Sequence, residues 1–226
     1  MSNKFFSVTH NSFDTRGFPW VQTIVNGLQH FPPCSECGED SHRPVGDLQV
    51  LLELNKASKW PDVLGCGHHP LLIVSGRVLE DWKRDGVGDF PHHRVEFIHP
   101  LPERLGDTQP PAYYWIDGAN MAGAKLDFDA SGFVGVQFCK TCGRRWDDIP
   151  KTYDKQHSAV WPYTFVAGSW NGANLFTTDL SPAAFFCTNL LFECAARHQH
   201  TNFRFIPVEQ GDATSSRGLD YLKRQN

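Results

Sequence analysis

Cys34-Ser35-Glu36-Cys37-Gly38 and, far downstream, Cys139-Lys140-Thr141-Cys142-Gly143 are two copies of one five-residue pattern. In each, two cysteines spaced by two residues place their sulfurs on one side of a tight turn. The glycine that follows suits a backbone of positive φ whose N–H groups point back at sulfur. Two such loops supply four thiolates, the set that tetrahedral Zn2+ takes in a closed structural site. Cys34, Cys37, Cys139 and Cys142 are therefore read as one four-cysteine zinc site, with zinc in a structural role. Roughly 100 residues separate the pairs, and closing so long a loop costs little more entropy than closing a short one. A structural zinc in a small peptide contributes on the order of 10–16 kcal/mol at neutral pH. The metal can thus hold the N-terminal segment against the middle of the chain. Two separate redox pairs are the competing reading, but neither lies at the strand-to-helix junction of a thioredoxin-like unit.

The rest of the composition frames this site. The chain has 226 residues, of which 40% are hydrophobic and 13% aromatic, enough for a real core. One domain over residues 1–226 is expected, with a polar tail from about 211 to 226 that frays. The net charge of −4 argues against a nucleic-acid partner, which selects a basic field. No run of 18 apolar residues predicts a membrane span. The opening Met1-Ser2-Asn3-Lys4-Phe5-Phe6 has no signal-peptide core. Cysteines at metal spacing fit a reducing cytoplasm better than a disulfide scaffold.

Periodicity places the elements. Lys4 to Thr9 and Pro19 to Val25 read as strands, and Asp47 to Lys56 fits helix or strand equally. Leu71-Leu72-Ile73-Val74 is a buried-strand run. Ser75 follows as an N-cap, Val78, Leu79 and Trp82 share a helical face, and Gly86 stops the helix. Arg94 to Ile98 alternates as a strand, ended by Pro100. The same plan recurs near the C-terminus. Phe185-Phe186-Cys187 leads to a cap at Thr188 or Asn189, then to a helix with Leu190, Leu191, Cys194 and Ala195 on one face. Asn202 to Ile206 alternates, and Pro207 closes it. Ser75 aligns with Thr188, and Glu80 with Glu193. Phe133 to Phe138 runs as a strand straight into Cys139. The expected fold is α+β: a mixed, mostly antiparallel sheet, short helices, a zinc-knuckle pair of four cysteines and two similar β-α-β units.

Other residues carry chemistry of their own. Gly65-Cys66-Gly67-His68-His69 reads either as a loop before a buried strand or as metal ligands Cys66, His68 and His69. His92 and His93 read as an exposed loop. His198 and His200 follow the last helix, where they favour its negative end. Cys187 and Cys194 read as core cysteines. Pro33-Cys34-Ser35-Glu36-Cys37 matches half of the zinc-deaminase signature, but the H-x-E half is missing and four thiolates leave no position for water. Asp117, Asp127, Asp129, Asp147 and Asp148 read either as a solvated surface or as an acidic face for a basic partner. Trp115, Trp146, Trp161 and Trp170 are candidate anchors for such a partner if exposed. No P-loop, G-x-S-x-G, H-E-x-x-H or G-x-G-x-x-G motif occurs.

In order along the chain, the motifs resemble the double-CXXCG motif proteins, a family expanded in myxobacteria. The resemblance is carried by Cys34 to Gly38, the strand–helix–strand from Leu71 to Ile98, and Ala124-Lys125-Leu126-Asp127 ahead of Cys139 to Gly143. Near the end it is carried by Asn174-Leu175-Phe176, Thr188, Glu193 and Phe203 to Val208. Asn174 stands where the family has Asp, and Asn189-Leu190 where it has Glu-Arg. The resemblance implies a small cytoplasmic immunity protein, not an enzyme. Its partner would be a cognate contact-delivered toxin domain, and its zinc a scaffold. The alternatives from other classes are a zinc hydrolase built on Cys66, His68 and His69, and a nucleic-acid-binding zinc module.

Overall fold

Among the described residues, most of the regular structure is strand, with buried and outward residues alternating along the longer ones. The computed structural model describes residues 4–10, 17–38, 41–54, 57–66, 71–105, 108–143, 145–148, 163–179 and 181–210. In chain order the strands are β1 (Phe5–His10), β2 (Trp20–Phe31), β3 (Ser41–Leu52), β4 (Val63–Cys66) and β5 (Ile73–Ser75). Helix α1 (Gly76–Arg84) follows, then β6 (His92–Ile98), β7 (Tyr113–Ile116), β8 (Ala122–Ala124), β9 (Val134–Phe138) and β10 (Arg145–Asp148). The last elements are β11 (Thr164–Phe165), β12 (Leu175–Thr178), β13 (Ser181–Thr188), α2 (Asn189–Arg197) and β14 (Phe203–Gln210). Among the described residues no helix is long and apolar enough to cross a membrane.

The chain is mostly β, and its strands form a closed barrel and a separate sheet. The barrel order is β2-β3-β6-β7-β5-β4. It is filled by Val21, Leu48, Val50, Leu52, Leu64, Ile73 and Tyr113, with Cys66 and Trp115 among them. A parallel pairing of Trp20 with Gly65 and of Val21 with Cys66 closes it. Gly65 is required at that seam, because a Cβ there would lie 2.4 Å from the Trp20 ring. The segment from Asp47 resolves as strand: Leu48, Val50 and Leu52 are buried at every second position.

The second sheet runs β11-β14-β1-β13-β12-β8. Phe5, Phe165, Phe176 and Phe186 pack on one face, with ring centroids 5.1 to 6.1 Å apart. A third cluster joins α1 and α2 to barrel and sheet through Val78, Trp82, Leu191 and Cys194, together with Val63, Val74 and Phe185. Each helix lies between two strands that flank a third, antiparallel to both: β5 and β6 around β7, β13 and β14 around β1. Ser75 and Thr188 are the N-caps, as expected, yet neither hydroxyl caps its helix. Ser75 Oγ donates to Asp62 Oδ1 at 3.1 Å and Thr188 Oγ1 to Asn174 Oδ1 at 2.9 Å. Pro207 does not close its strand. It pairs with Phe6 inside β14. On the other edge β11 reaches only Glu209 and Gln210 among the described residues, which leaves room for a residue without N–H.

Candidate metal centre

Both cysteine loops are the tips of β-hairpins. The first joins β2 to β3, whose ladder runs out to the pair Phe31 and Ser41. The second joins β9 to β10, paired from Phe138 and Arg145 inward. The two turns have the same geometry. Gly38 N donates to Cys34 O at 2.8 Å, and Gly143 N to Cys139 O at 2.9 Å. Both glycines have φ of 71°, a left-handed value that a side chain would strain.

The tips meet so that one loop faces the other. Cys34 Sγ lies 3.7 Å from Cys139 Sγ, and Cys37 Sγ lies 3.7 Å from Cys142 Sγ. All four sulfurs lie within 4.8 Å of one another. Four sulfurs about 2.3 Å from one central ion, at tetrahedral angles, would stand about 3.8 Å apart. The array therefore has the size of a tetrahedral tetrathiolate site, and the four residues read from the sequence are the four brought together.

Electrostatics differ across the array. Backbone N–H groups of Cys37 and Glu36 hold the Cys34 thiol down to about 6. The Cys142 N–H pulls Cys139 the same way. Burial and the neighbouring sulfurs of Cys142 and Cys34 outweigh it and leave Cys139 above the usual thiol range. One thiolate thus forms readily, and its negative charge resists formation of the next until a cation compensates. Glu36 braces the two tips. Its Oε2 accepts from Thr141 Oγ1 at 2.8 Å, from Thr141 N at 3.0 Å, and from a protonated Cys139 at 3.3 Å. The Thr141 hydroxyl, first among these donors, keeps the Glu36 carboxyl below the ordinary carboxylate range.

The other sequence candidates separate. Cys66 lies in β4 within the barrel core, only 5% exposed, while His68 and His69 lie outside the described residues. His92 and His93 belong to strand β6 instead of a loop, because the alternation of Val95 and Phe97 extends back through them. His93 stacks on Trp115 with centroids 5.1 Å apart. Trp115 is buried and so unavailable as an anchor, and Trp170 gives its N–H to Ala173 O at 2.9 Å. Asp117 and Asp127 accept from Ala119 N and Ala130 N, both at 3.0 Å, and so serve local turns. The side chains of Trp146, Trp161, Asp147 and Asp148 fall outside the described residues, as does the tail 211–226.

Asp85, Cys194 and His198 also converge, with ligand atoms within 4.8 Å. Here the positive charge is already supplied. Arg197 Nη1 donates to Asp85 Oδ2 at 2.7 Å, and Arg84 Nε lies 3.8 Å from Asp85 Oδ1. His198 Nε2 lies 2.9 Å from Asp85 Oδ2, and His200 Nε2 lies 2.8 Å from Asp81 Oδ2. Burial first, then the Asp85 charge, pushes Cys194 up to about 11, so it stays a thiol. This group clasps α1 to α2.

Asp62 is a structural residue that sequence reasoning missed. Its carboxylate accepts from Ser75 Oγ, from Arg77 Nη2 at 2.6 Å and Nε at 3.1 Å, and from Thr201 N at 2.8 Å and Oγ1 at 3.0 Å. It bolts the start of β4 to the turn after α2. A lone aspartate after Pro61 carries no motif from which this could be read.

No family model matches this chain, and no curated protein matches it in sequence.

Proposed function

We propose that the chain is a zinc-stapled binding protein of the toxin-neutralising kind. It would hold the active domain of a cognate contact-delivered toxin in the cytoplasm and block its active site, without chemistry of its own. The single observation that carries the reading is the tip-to-tip meeting of the two C-x-x-C-G loops at tetrathiolate spacing. Four thiolates fill a tetrahedral zinc and leave no position for water or substrate, so the ion acts as a fastener. The double-CXXCG pattern in which those loops occur resembles a family with immunity members, which supplies the partner class. We also read the two strand–helix–strand units as a repeat, since Ser75 and Thr188, Glu80 and Glu193, and Asp85 and His198 occupy equivalent places. A hydrolytic zinc at Cys66 has less support, because that sulfur lies within the barrel.

The test is co-expression with the toxin encoded beside the gene. Rescue of growth and a co-purifying complex are expected. Absence of both rescue and complex would overturn the immunity reading while leaving the zinc assignment to metal analysis.

A further inference from the structure

The hairpin that carries Cys34 and Cys37 holds a second set of metal-ligating groups. His30 in β2 and His42 in β3 are direct register partners, one pair inward of Phe31 and Ser41. Both rings are exposed to solvent. His30 Nδ1 lies 2.8 Å from His42 Nε2, with ring centroids 4.6 Å apart and planes tilted by 49°. Two ring nitrogens this close can share a proton or, once both rings turn toward a common point, an ion. Imidazole nitrogens bound at about 2.0–2.1 Å in adjacent positions of one ion stand about 2.9–3.4 Å apart. Opening the pair by a few tenths of an ångström reaches that range, and the rings must also turn so that both lone pairs meet off the line between the nitrogens, a rotation that exposed side chains can make.

The surroundings favour a cation more than those of the Asp85 group do. The nearest cationic side chain in sequence, Arg43, is turned onto the Phe31 ring, with its guanidinium carbon 5.3 Å from the centroid. The stem stands clear of the barrel ladders. β4 reaches β2 only at Trp20 and Val21, and β6 reaches β3 only from Leu48 to Leu51. Beyond those points, among the described residues, the ladders pair β2 and β3 only with each other.

We propose that His30 and His42 form a second, solvent-open metal site that takes one divalent transition ion of the Ni2+, Cu2+ or Zn2+ type. Two imidazoles select such ions over Mg2+ or Ca2+, which take oxygen ligands. Water completes the coordination. The ion would clamp the two strands just below the cysteine loop and so stiffen the stem that presents it. This site is distinct from the tetrathiolate centre, and it does not depend on what the chain binds.

Full-length protein already carrying one zinc is titrated with Ni2+ by calorimetry, and Cu2+ broadening of histidine resonances is followed by NMR. One further Ni2+ per chain is expected, with the His30 and His42 signals broadened first. Altering groups that only support a metal ligand costs about 10–100-fold in affinity, so His30→Ala and His42→Ala should each weaken Ni2+ by at least about tenfold. His92→Ala, an exposed histidine on β6, should leave it unchanged. The zinc content of every variant is measured alongside. If wild-type protein takes up no Ni2+, or if the double variant binds it as well as wild type while keeping its zinc, the proposal fails. It also fails if Ni2+ enters only by displacing zinc.

Discussion

A single side chain can be worth more here than its place in the sequence suggests. Cys34 is one of four cysteines that together could hold a metal ion, and a three-thiolate remnant does not close a tetrahedral site. Cys34→Ser is expected to drop the metal content of purified protein from one zinc per chain toward zero, read by elemental analysis. Glu36 is not among the four clustered cysteines, yet it ties Thr141 across the gap. Glu36→Gln should keep one zinc but release it faster to a chromogenic chelator, because the amide weakens the charge-assisted bonds to Thr141. An unchanged release rate would show that Glu36 does not brace the loops. Asp62 accepts bonds from three residues while almost buried. Asp62→Ala leaves Ser75 Oγ and Thr201 N without those bonds and should cost about 1–3 kcal/mol in urea unfolding. The clustering of the four cysteines was legible because a spaced pair of cysteines is a local signal, repeated. Asp62 was not, because its partners Arg77 and Thr201 are brought to it only by the fold.

At the scale of elements, the clasp between α1 and α2 sets a pH response. Burial, partly opposed by Asp81, lowers the His200 pKa. The unfolded chain then takes the proton first, so this contribution is complete above about pH 6.5 and is lost as the pH falls below it. Asp62, Asp81 and Asp85 are depressed instead. For Asp62 and Asp81, burial raises the carboxyl but is outweighed: by Arg77 and Thr201 at Asp62, and by His200, His198 and Arg84 at Asp81. At Asp85 the His198 hydrogen bond leads. Their contribution is complete above about pH 3.9 and is lost as the pH falls through the lower folded values. Burial, then the Arg204 charge, lowers the His10 pKa as well, so thermal unfolding should show a decline beginning at about pH 6.5, and His200→Phe should shrink that first step while leaving the part that His10 contributes. Both helices and their first boundary residues could be read from sequence, since their apolar spacing is internal to each, but the caps' bonding could not. The length of β2 could not. Asn26-Gly27 has the chemistry of a turn, yet the strand passes through it on a bulge, with Gly27 at φ 96°. A Cβ at Gly27 would lie 2.5 Å from Asp47 O, a contact invisible until β3 is in place.

For the whole molecule, the barrel core and the candidate metal centre stand apart. The barrel is closed by its own ladders and filled by its own side chains, whereas the sulfurs join hairpin tips outside it. Stripping bound metal is expected to loosen residues 28–38, 41–44 and 133–143 while the barrel stays protected. Hydrogen exchange with and without chelator reads this directly, and global loss of protection would show the centre to be part of the core instead. Barrel closure was the least legible feature. It rests on two parallel pairings, β3 with β6 and β4 with β2, and parallel partners carry no turn between them to announce the match.

The strand Phe5–His10 lies between Thr188 and its neighbours on one side and Phe203 to Val208 on the other. On a ribosome, the earliest of these strands to emerge has to wait for the latest two. The barrel, complete by Ile116, can assemble well before that. Phe5, whose core partners Phe165, Phe176, Phe186 and Val208 all come late, therefore stays uncovered until they emerge, and that waiting period is when the nascent chain is most open to capture by a chaperone or by another copy of itself.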